Sequence, residues 1–380
     1  MKIISVVGAR PNFIKIAPFV KEIGDYNKAT NSNLQSILLH TGQHYDIRMS
    51  DHFFSDLGIP IPDINLGVGS GTHAEQVGYT MIAFEKVLKQ EKPDWVVVVG
   101  DVNATLACSV TAKKEGVKCC HIEAGLRSYD MSMPEEINRL VTDRLCDLLL
   151  TPDILSGENL RKEGVPEERI VFVGNIMIDT LNANIGKAVN INLNDVILTN
   201  EITQSGTRLI DDQFAIMTIH RPSNVDNKTV LSSLITFLVD EVCPELPLVW
   251  TIHPRTLKNL EQFGLLTPIK SAKNLILLNP LRYHEMLRLN MSARLMLTDS
   301  GGLQEECTII GTPCLTLRWN TERPITLKEF GGASVLVGNN IDHIRTEYQI
   351  AQHLPRIPIR PDLWDGHTAK RCLRAILNSS

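Results

Sequence analysis

The stretch IISVVGARPNFIKIAPFVKEI, residues 3–23, decides the fold. It opens with an apolar run typical of a buried strand, turns at Gly8 and continues as an amphipathic helix. Arg10 and Lys15 lie where the strand meets the helix. Ligands of open α/β sheets bind outside the carboxyl ends of the strands, where helix N-termini favour anions. Two cations at this place predict an anionic, phosphorylated ligand, although solvated charges on a surface turn explain this stretch alone equally well.

The strand–helix alternation recurs along the whole chain and predicts two α/β domains, each a doubly wound parallel sheet. The first series of β-rich runs covers residues 3–7, 34–39, 95–99, 119–122, 148–150 and 170–173. The second series covers residues 214–219, 248–252, 275–278, 294–297, 314–317 and 334–337. We place the first domain at 1–174, the second at 175–365 and a closing helix within 366–380. We expect the ligand in the cleft between the domains.

Composition and charge exclude several classes of function. The 380 residues carry a net charge of −5, which disfavours nucleic acid or an anionic membrane as the main partner. No apolar run approaches the ~20 residues that span a bilayer, and the N-terminus does not resemble a signal peptide. The eight cysteines form no CxxC pair. They predict reduced thiols in a cytoplasmic protein, without a metal site.

Three acidic segments follow the strands of the first domain. Asp101 follows the run 95–99 after one glycine, and Glu123 comes directly after 119–122. A carboxylate at the end of a buried strand needs a partner, and Arg127 is a structural candidate for that of Glu123. In MPEEINR, Glu135 and Glu136 also suit a helix N-terminus, and at most one of the two faces a site.

The second domain places basic residues and a glycine turn at its strand ends. His220 and His253 each follow a strand and stand close to an arginine. In LMLTDSGGLQEE a strand runs into Ser300, Gly301 and Gly302 and then into a helix, an arrangement that offers backbone N–H groups to phosphate. Glu306, about one turn into that helix, is a candidate acceptor for ribose hydroxyls. Together these residues predict a nucleotide-sugar site with acid–base chemistry at the sugar.

The motifs resemble those of the non-hydrolysing UDP-N-acetylglucosamine 2-epimerases. They are GARPNFIK, TGQHYD, GDVNATLA, HIEAGLRS, MPEEINR, HRPSN, TDSGGLQEE and NTERP, in the family's order. The resemblance implies a GT-B fold of two Rossmann-like domains, with the C-terminal helix packed back on the first. It also implies a homodimer in the cytoplasm, a UDP-sugar substrate and a role in making surface polysaccharide. Neither a metal nor a redox cofactor is implied.

Residue by residue, the resemblance implies the following roles. Asp101, Glu123 and Glu135 match the catalytic carboxylates. His220, which we group with them, matches a residue near the diphosphate, as do Arg10 and Lys15. Ser300 and Gly301 match the phosphate turn, Glu306 matches the ribose acceptor, and we add Arg127, Gly302 and Arg323 as substrate-binding residues. Gln43, His44 and His253 match part of an allosteric UDP-sugar pocket, although Asp46 stands where a second glutamine is usual.

The implied reaction is anti elimination of UDP across C1–C2, giving a 2-acetamidoglucal, followed by re-addition of UDP with inverted C2. Departures such as GARPN in place of the usual GTRPE, together with GDVNAT and MPEEINR, also resemble relatives that act on UDP-diacetamido-glucuronic acid. That sugar stays open as the substrate. A GT-B glycosyltransferase, a hydrolysing epimerase and a silent nucleotide-sugar sensor also stay open as functions at this point.

Overall fold

A computed structural model describes residues 1–42, 57–203 and 205–379, and the side chain of Arg10 lies outside this description. The described residues form two compact units by contact. Unit 1 comprises residues 1–183 and 361–380, and unit 2 comprises residues 184–360. The boundary predicted from the sequence, after Gly174, falls just before the helix that contains this division. None of the described helices is long and apolar enough to cross a membrane.

Unit 1 is built on a parallel sheet with the strand order β3-β2-β1-β4-β5-β6-β7. The strands are β1 (Lys2–Val7), β2 (Gln35–His40), β3 (Ile64–Asn65), β4 (Trp95–Val99), β5 (Lys118–Ile122), β6 (Leu148–Thr151) and β7 (Ile170–Phe172). The helices are α1 (Arg10–Thr30), α2 (His73–Glu91), α3 (Asn103–Lys114), α4 (Pro134–Leu145), α5 (Ile154–Lys162), α6 (Ile176–Val189) and, at the C-terminus, α16 (Thr368–Asn378). Helix α16 packs on α1, and its first N–H groups are capped by Asp179.

Unit 2 repeats the plan with the strand order β10-β9-β8-β11-β12-β13. The strands are β8 (Ala215–Thr218), β9 (Leu248–Thr251), β10 (Leu275–Leu278), β11 (Leu295–Thr298), β12 (Cys314–Thr316) and β13 (Ser334–Leu336). The helices are α7 (Leu193–Asn200), α8 (Pro222–Val225), α9 (Lys228–Phe237), α10 (Cys243–Glu245), α11 (Pro254–Phe263), α12 (Leu266–Ser271), α13 (Tyr283–Ser292), α14 (Gly301–Ile310) and α15 (Ile341–Ala351). Two short 3-10 turns and one π-helical turn also lie among the described residues of this unit.

The sheets are parallel because their strands are buried on both faces and are joined by crossover helices. All five residues of β4 are buried, as are all four of β9, β10 and β11. In each unit the connections that follow two neighbouring strands lead to opposite edges of the sheet. These neighbours are β1 and β4 in unit 1 and β8 and β11 in unit 2. These are the topological switch points where open α/β sheets bind ligands.

Candidate active site

The carboxyl ends of β4 and β5 in unit 1 hold two of the predicted carboxylates. Val99 pairs with Ile122 in the parallel ladder, so Asp101 and Glu123 leave the sheet from neighbouring strands. Glu123 is 3% exposed, and its φ of 71° lies in the left-handed region that non-glycine residues rarely adopt. A strained backbone at a strand end is a feature that clusters at functional sites.

Lys15 is the partner of Glu123. Its Nζ lies 2.5 Å from Glu123 Oε2, and both side chains are buried. The other carboxylate oxygen, Oε1, is buried and has no hydrogen-bond partner among the described residues. The ion pair lies against Gly100, where an added Cβ would come within 3.3 Å of the lysine nitrogen. Glycine at position 100, with φ of 67°, therefore lets β4 turn toward Asp101 without displacing the pair.

The partners of Arg127 differ from the candidate partner Glu123. Its guanidinium forms ion pairs of 2.7 Å with both Asp143 and Glu163, and its side chain is 1% exposed. Asp143 also accepts a hydrogen bond from the ring of His121. Arg127 therefore pairs with Asp143 and Glu163 and not with Glu123, and its assignment as a substrate-binding residue stays a prediction.

Helix α4 separates its two adjacent glutamates as its geometry requires. Glu135 is exposed, whereas Glu136 is 1% exposed and accepts hydrogen bonds from the backbone N–H groups of Ser128 and Tyr129. Glu136 also forms an ion pair of 2.6 Å with Arg139, which in turn contacts Asp101. Sequence reasoning missed this use of Arg139. The signal was its place three residues after Glu136 on the same helix face.

In unit 2, the neighbouring parallel strands β8 and β11 end side by side. The residues that follow them place His220 beside Asp299. The His220 ring lies 3.0 Å from the Asp299 carboxylate, which is fully buried and also accepts the backbone N–H groups of His220 and Arg221. Burial alone would raise the pKa of Asp299, but the hydrogen bonds from His220, Arg221 and Asn224 lower it overall. Asp299 thus stays charged and holds His220, whose side chain is 40% exposed.

His220, His253 and Ser300 line one pocket of about 280 Å³ in unit 2. The two imidazole rings lie 5.4 Å apart between centroids. Burial lowers the pKa of His253, and the neighbouring His220 lowers it further. His253 therefore favours its neutral form more than an exposed imidazole does, and it lies beside the predicted nucleotide site. The remaining lining residues are mostly apolar: Thr218, Thr251, Ile252, Pro280, Leu281, Met286 and Leu303.

The glycine turn forms the start of α14. Ser300 is the residue before the helix, and its own side chain does not cap the first N–H groups. Gly301 lies against a buried arginine, so that an added Cβ would meet Arg323 Nη1 at 2.6 Å and Glu322 Oε1 at 2.9 Å. Arg323 is 6% exposed and forms an ion pair of 2.8 Å with Glu305. It therefore supports the turn from behind, with Gly302 completing the first turn of the helix.

Glu306 lies in the second turn of α14 and is 4% exposed. Burial raises its pKa to about 7, and the nearby side chains of Tyr283 and Asn290 offset this only in part. The predicted ribose acceptor therefore retains its proton to a higher pH than an exposed glutamate does.

Three predicted residues lie outside the described part of the structure. They are Gln43 and His44 of the predicted allosteric pocket, along with the side chain of Arg10. Within residues 1–42, 57–203 and 205–379, no three His, Cys, Asp or Glu side chains are grouped so that they could hold a metal ion.

Comparison with known proteins places these residues in a family context. A family model described as UDP-N-acetylglucosamine 2-epimerase matches residues 27–377. A curated UDP-N-acetylglucosamine 2-epimerase from Methanocaldococcus jannaschii is 39% identical over 99% of both chains. A crystal structure of the Methanocaldococcus jannaschii UDP-GlcNAc 2-epimerase with UDP-GlcNAc and UDP superposes with a TM-score of 0.88, at 38% identity and full coverage of both chains.

A relative named for a different sugar is almost as similar. The UDP-2,3-diacetamido-2,3-dideoxy-D-glucuronate 2-epimerase of Pseudomonas aeruginosa is 38% identical over 90% of both chains. The predicted α/β class is confirmed by the two parallel sheets, and the predicted GT-B fold by the structural neighbours.

Proposed function

The chain belongs to the UDP-N-acetylglucosamine 2-epimerase family and is an isomerase, and from this premise we propose that it interconverts UDP-N-acetylglucosamine and UDP-N-acetylmannosamine without net hydrolysis. The observation that carries the proposal is the state of Glu123. One of its oxygens is held by Lys15, while the other is buried without a partner among the described residues, beside Asp101 on the next strand. Such a carboxylate is fixed in place and retains an oxygen for a substrate atom.

The reaction we propose is an anti elimination followed by re-addition. The C1–O bond to the diphosphate breaks while a base removes the proton on C2, which leaves UDP and a 2-acetamidoglucal. The C2 proton is poorly acidic in the ground state because no carbonyl adjoins that carbon. Its removal becomes feasible as C1 acquires positive charge, which carboxylates stabilise. Re-addition returns UDP to C1 and a proton to the opposite face of C2.

The acid–base work falls on Asp101, Glu123 and Glu135. Inversion needs proton transfer at both faces of C2, so a single carboxylate does not suffice. Asp101 and Glu123 leave the sheet from neighbouring strands, and Glu135 is exposed at the N-terminus of α4. We do not divide the two proton transfers among these three groups.

The nucleotide part of the substrate is bound by unit 2. The start of α14 at Ser300 and Gly301, which the Ser300 side chain does not cap, offers N–H groups to the diphosphate, which gains negative charge as it leaves. His220, held by Asp299, donates to the same group, and Glu306 accepts from the ribose. The mostly apolar pocket lined by His220, His253 and Ser300 accommodates the nucleobase of UDP.

One other substrate is favoured by a specific observation. The relative named UDP-2,3-diacetamido-2,3-dideoxy-D-glucuronate 2-epimerase is 38% identical to this chain. The same elimination chemistry serves that sugar, because the reacting C1 and C2 atoms are unchanged. The second candidate function therefore differs from the first in its substrate, while the reaction class is the same.

The test of the proposed acids is to neutralise Asp101 and Glu123, the two that follow neighbouring strands, one at a time. Asp101→Asn and Glu123→Gln keep the side-chain shape and remove the charge, so turnover should fall by at least about 100-fold. UDP affinity, measured by calorimetry, should stay within about threefold, since the nucleotide is bound by unit 2. Glu115→Gln, on an exposed carboxylate after α3, is the matched control and should keep full activity. Equal loss of UDP binding and turnover would assign Asp101 and Glu123 a structural role instead.

A further inference from the structure

We propose that Arg139 is a positioning residue, which orients the carboxylate of Asp101 through a buried three-membered ion network with Glu136. The inference rests on the proposed function in that it takes Asp101 as one of the acid–base carboxylates. The inference adds Arg139, which contacts no reacting atom itself but orients Asp101, which does.

The geometry of Arg139 supports this role. The residue is 1% exposed, and its Nη1 forms an ion pair with Asp101 Oδ2. Its Nε and Nη2 donate to Glu136 Oε2 at 2.9 and 2.6 Å. The planar guanidinium thus joins two carboxylates in a fixed fork, which a lysine ammonium cannot reproduce. The Asp101 side chain is still 23% exposed, so it remains accessible to a ligand.

Glu136 extends the network to the loop that follows Glu123. Its two oxygens accept the backbone N–H groups of Ser128, at 3.0 Å, and Tyr129, at 2.9 Å. Tyr129 has a φ of 58°, so this loop contains a second non-glycine residue in the left-handed region. Burial would raise the pKa of Glu136, but the Ser128 N–H and Arg139 lower it overall, so the carboxylate stays charged. One network therefore holds Asp101 and the loop between Glu123 and Glu135.

Asn138, the neighbour of Arg139 on α4, secures the same strand end independently. Its Nδ2 donates to the backbone oxygen of Asp101 at 2.8 Å. The main chain of Asp101 is thus held by Asn138 and its side chain by Arg139. With its backbone fixed in this way, the orientation of the Asp101 carboxylate depends on the arginine.

A comparison with Arg127 shows which feature of Arg139 indicates a positioning role. Arg127 is equally buried and also joins two carboxylates, Asp143 and Glu163. Neither of these is a proposed catalytic group. A buried ion pair alone is weak evidence for a contribution to stability, and the distinguishing feature of Arg139 is therefore the identity of its partner.

The decisive experiment compares Arg139→Lys with the wild type and with Arg371→Lys. Arg371 pairs with Asp365 and donates to the backbone of Val173, remote in the chain from the proposed acids, so its lysine variant is the matched control. The readouts are kcat and KM for UDP-N-acetylglucosamine, deuterium incorporation at C2, UDP affinity and the thermal midpoint. Rates are compared per folded molecule.

Arg139→Lys should lower kcat and the rate of deuterium incorporation by about 10- to 100-fold, because a displacement of about 1 Å at a reacting group has effects of this size. KM and UDP affinity should stay within about threefold, and Arg371→Lys should keep the wild-type kcat. The positioning role is overturned if folded Arg139→Lys has a kcat within about twofold of wild type. It is also overturned if kcat and UDP affinity fall together.

A second variant keeps the test decisive if Arg139→Lys does not fold. Glu136→Gln leaves the Arg139–Asp101 pair in place but removes the charge that fixes the guanidinium from the other side. We expect kcat to fall about fivefold at unchanged UDP affinity, and a kcat within about twofold of wild type contradicts the inference. A wild-type protein that epimerises neither candidate sugar would instead refute the proposed function, which distinguishes the two failures.

Discussion

Glu306 gives unit 2 a pH dependence that can be measured without substrate. Its pKa is about 7 in the folded chain, against an ordinary value of 4.5. Between these values the folded state retains a proton that the unfolded state has released, so stability falls as pH rises from about 4.5 to 7. The full loss is on the order of 3 kcal/mol.

The measurement is the thermal midpoint of the nucleotide-free protein between pH 5 and pH 8, compared with that of Glu306→Gln. The variant has no ionisable group at this position, so the wild-type midpoint should fall relative to it by about 5–10 °C over this range. A constant difference between the two proteins would show that Glu306 titrates near its ordinary pKa. Exposed Glu261→Gln on α11 is the control and should follow the wild type at every pH.

At the scale of single residues, the sequence predicts where the acids lie but not what holds them. Asp101 and Glu123 are identifiable because each lies within two residues of the end of a buried strand, which is a local pattern. The candidate partner of Glu123 in the sequence is Arg127, four residues away, whereas the observed partner is Lys15, 108 residues away. Such long-range pairs depend on how the crossover helices pack, which local patterns do not encode.

At the scale of elements, the turn into α14 depends on the missing side chain of Gly301. The Cβ of Gly301→Ala would approach Arg323 and Glu322, which are buried and paired with each other. We expect the variant to lose about 1–3 kcal/mol of stability and to bind UDP at least about tenfold more weakly, because the shifted turn no longer presents its N–H groups.

The matched control is Gly186→Ala, on the exposed face of α6, where an added Cβ meets nothing within 4 Å. Alanine is the better helix former by about 1 kcal/mol, so this variant should be slightly more stable and bind UDP normally. Calorimetry with UDP and thermal unfolding measure both effects. Wild-type UDP affinity in Gly301→Ala would exclude the turn as the phosphate site.

Apolar strands are predictable from the sequence even when they are short, whereas β3 and the polar stretch 182–212 are not. The twelve predicted strands correspond to strands of the two sheets, whereas β3 has only two residues at a sheet edge and lacks a sequence signal. The polar stretch 182–212 shows little periodicity, yet it contains the end of α6 and all of α7. Asn192 caps α7, and the buried face of this helix packs into the core of unit 2.

At the scale of the whole molecule, exposed apolar side chains on unit 1 are consistent with a homodimer. Tyr79 and Ile82 on α2, and Ile137 and Val141 on α4, are between 37% and 58% exposed, and both helices pack on α3. Apolar groups that recur on one face of a helix and remain exposed are typical of interaction surfaces. We propose that a second copy of the chain covers them.

Light scattering coupled to size exclusion tests this proposal. The wild type should have a mass of about 85 kDa, twice that of the 42.4 kDa chain, and Ile82→Glu combined with Ile137→Glu should elute as the monomer. Leu198→Glu, which changes an 81% exposed residue of unit 2, should leave the mass unchanged. A monomeric wild type would contradict the dimer.

The central claim is reversible elimination at C1–C2, and NMR in D2O tests it most directly. The protein is incubated with UDP-N-acetylglucosamine and, separately, with the diacetamido-glucuronate analogue, while the anomeric and C2 protons are followed. The account predicts a new epimer signal for one of these sugars, with deuterium entering C2 of both epimers and UDP remaining attached at equilibrium. Inversion at C2 with retention of the original proton would contradict the account, as would accumulation of free sugar and UDP.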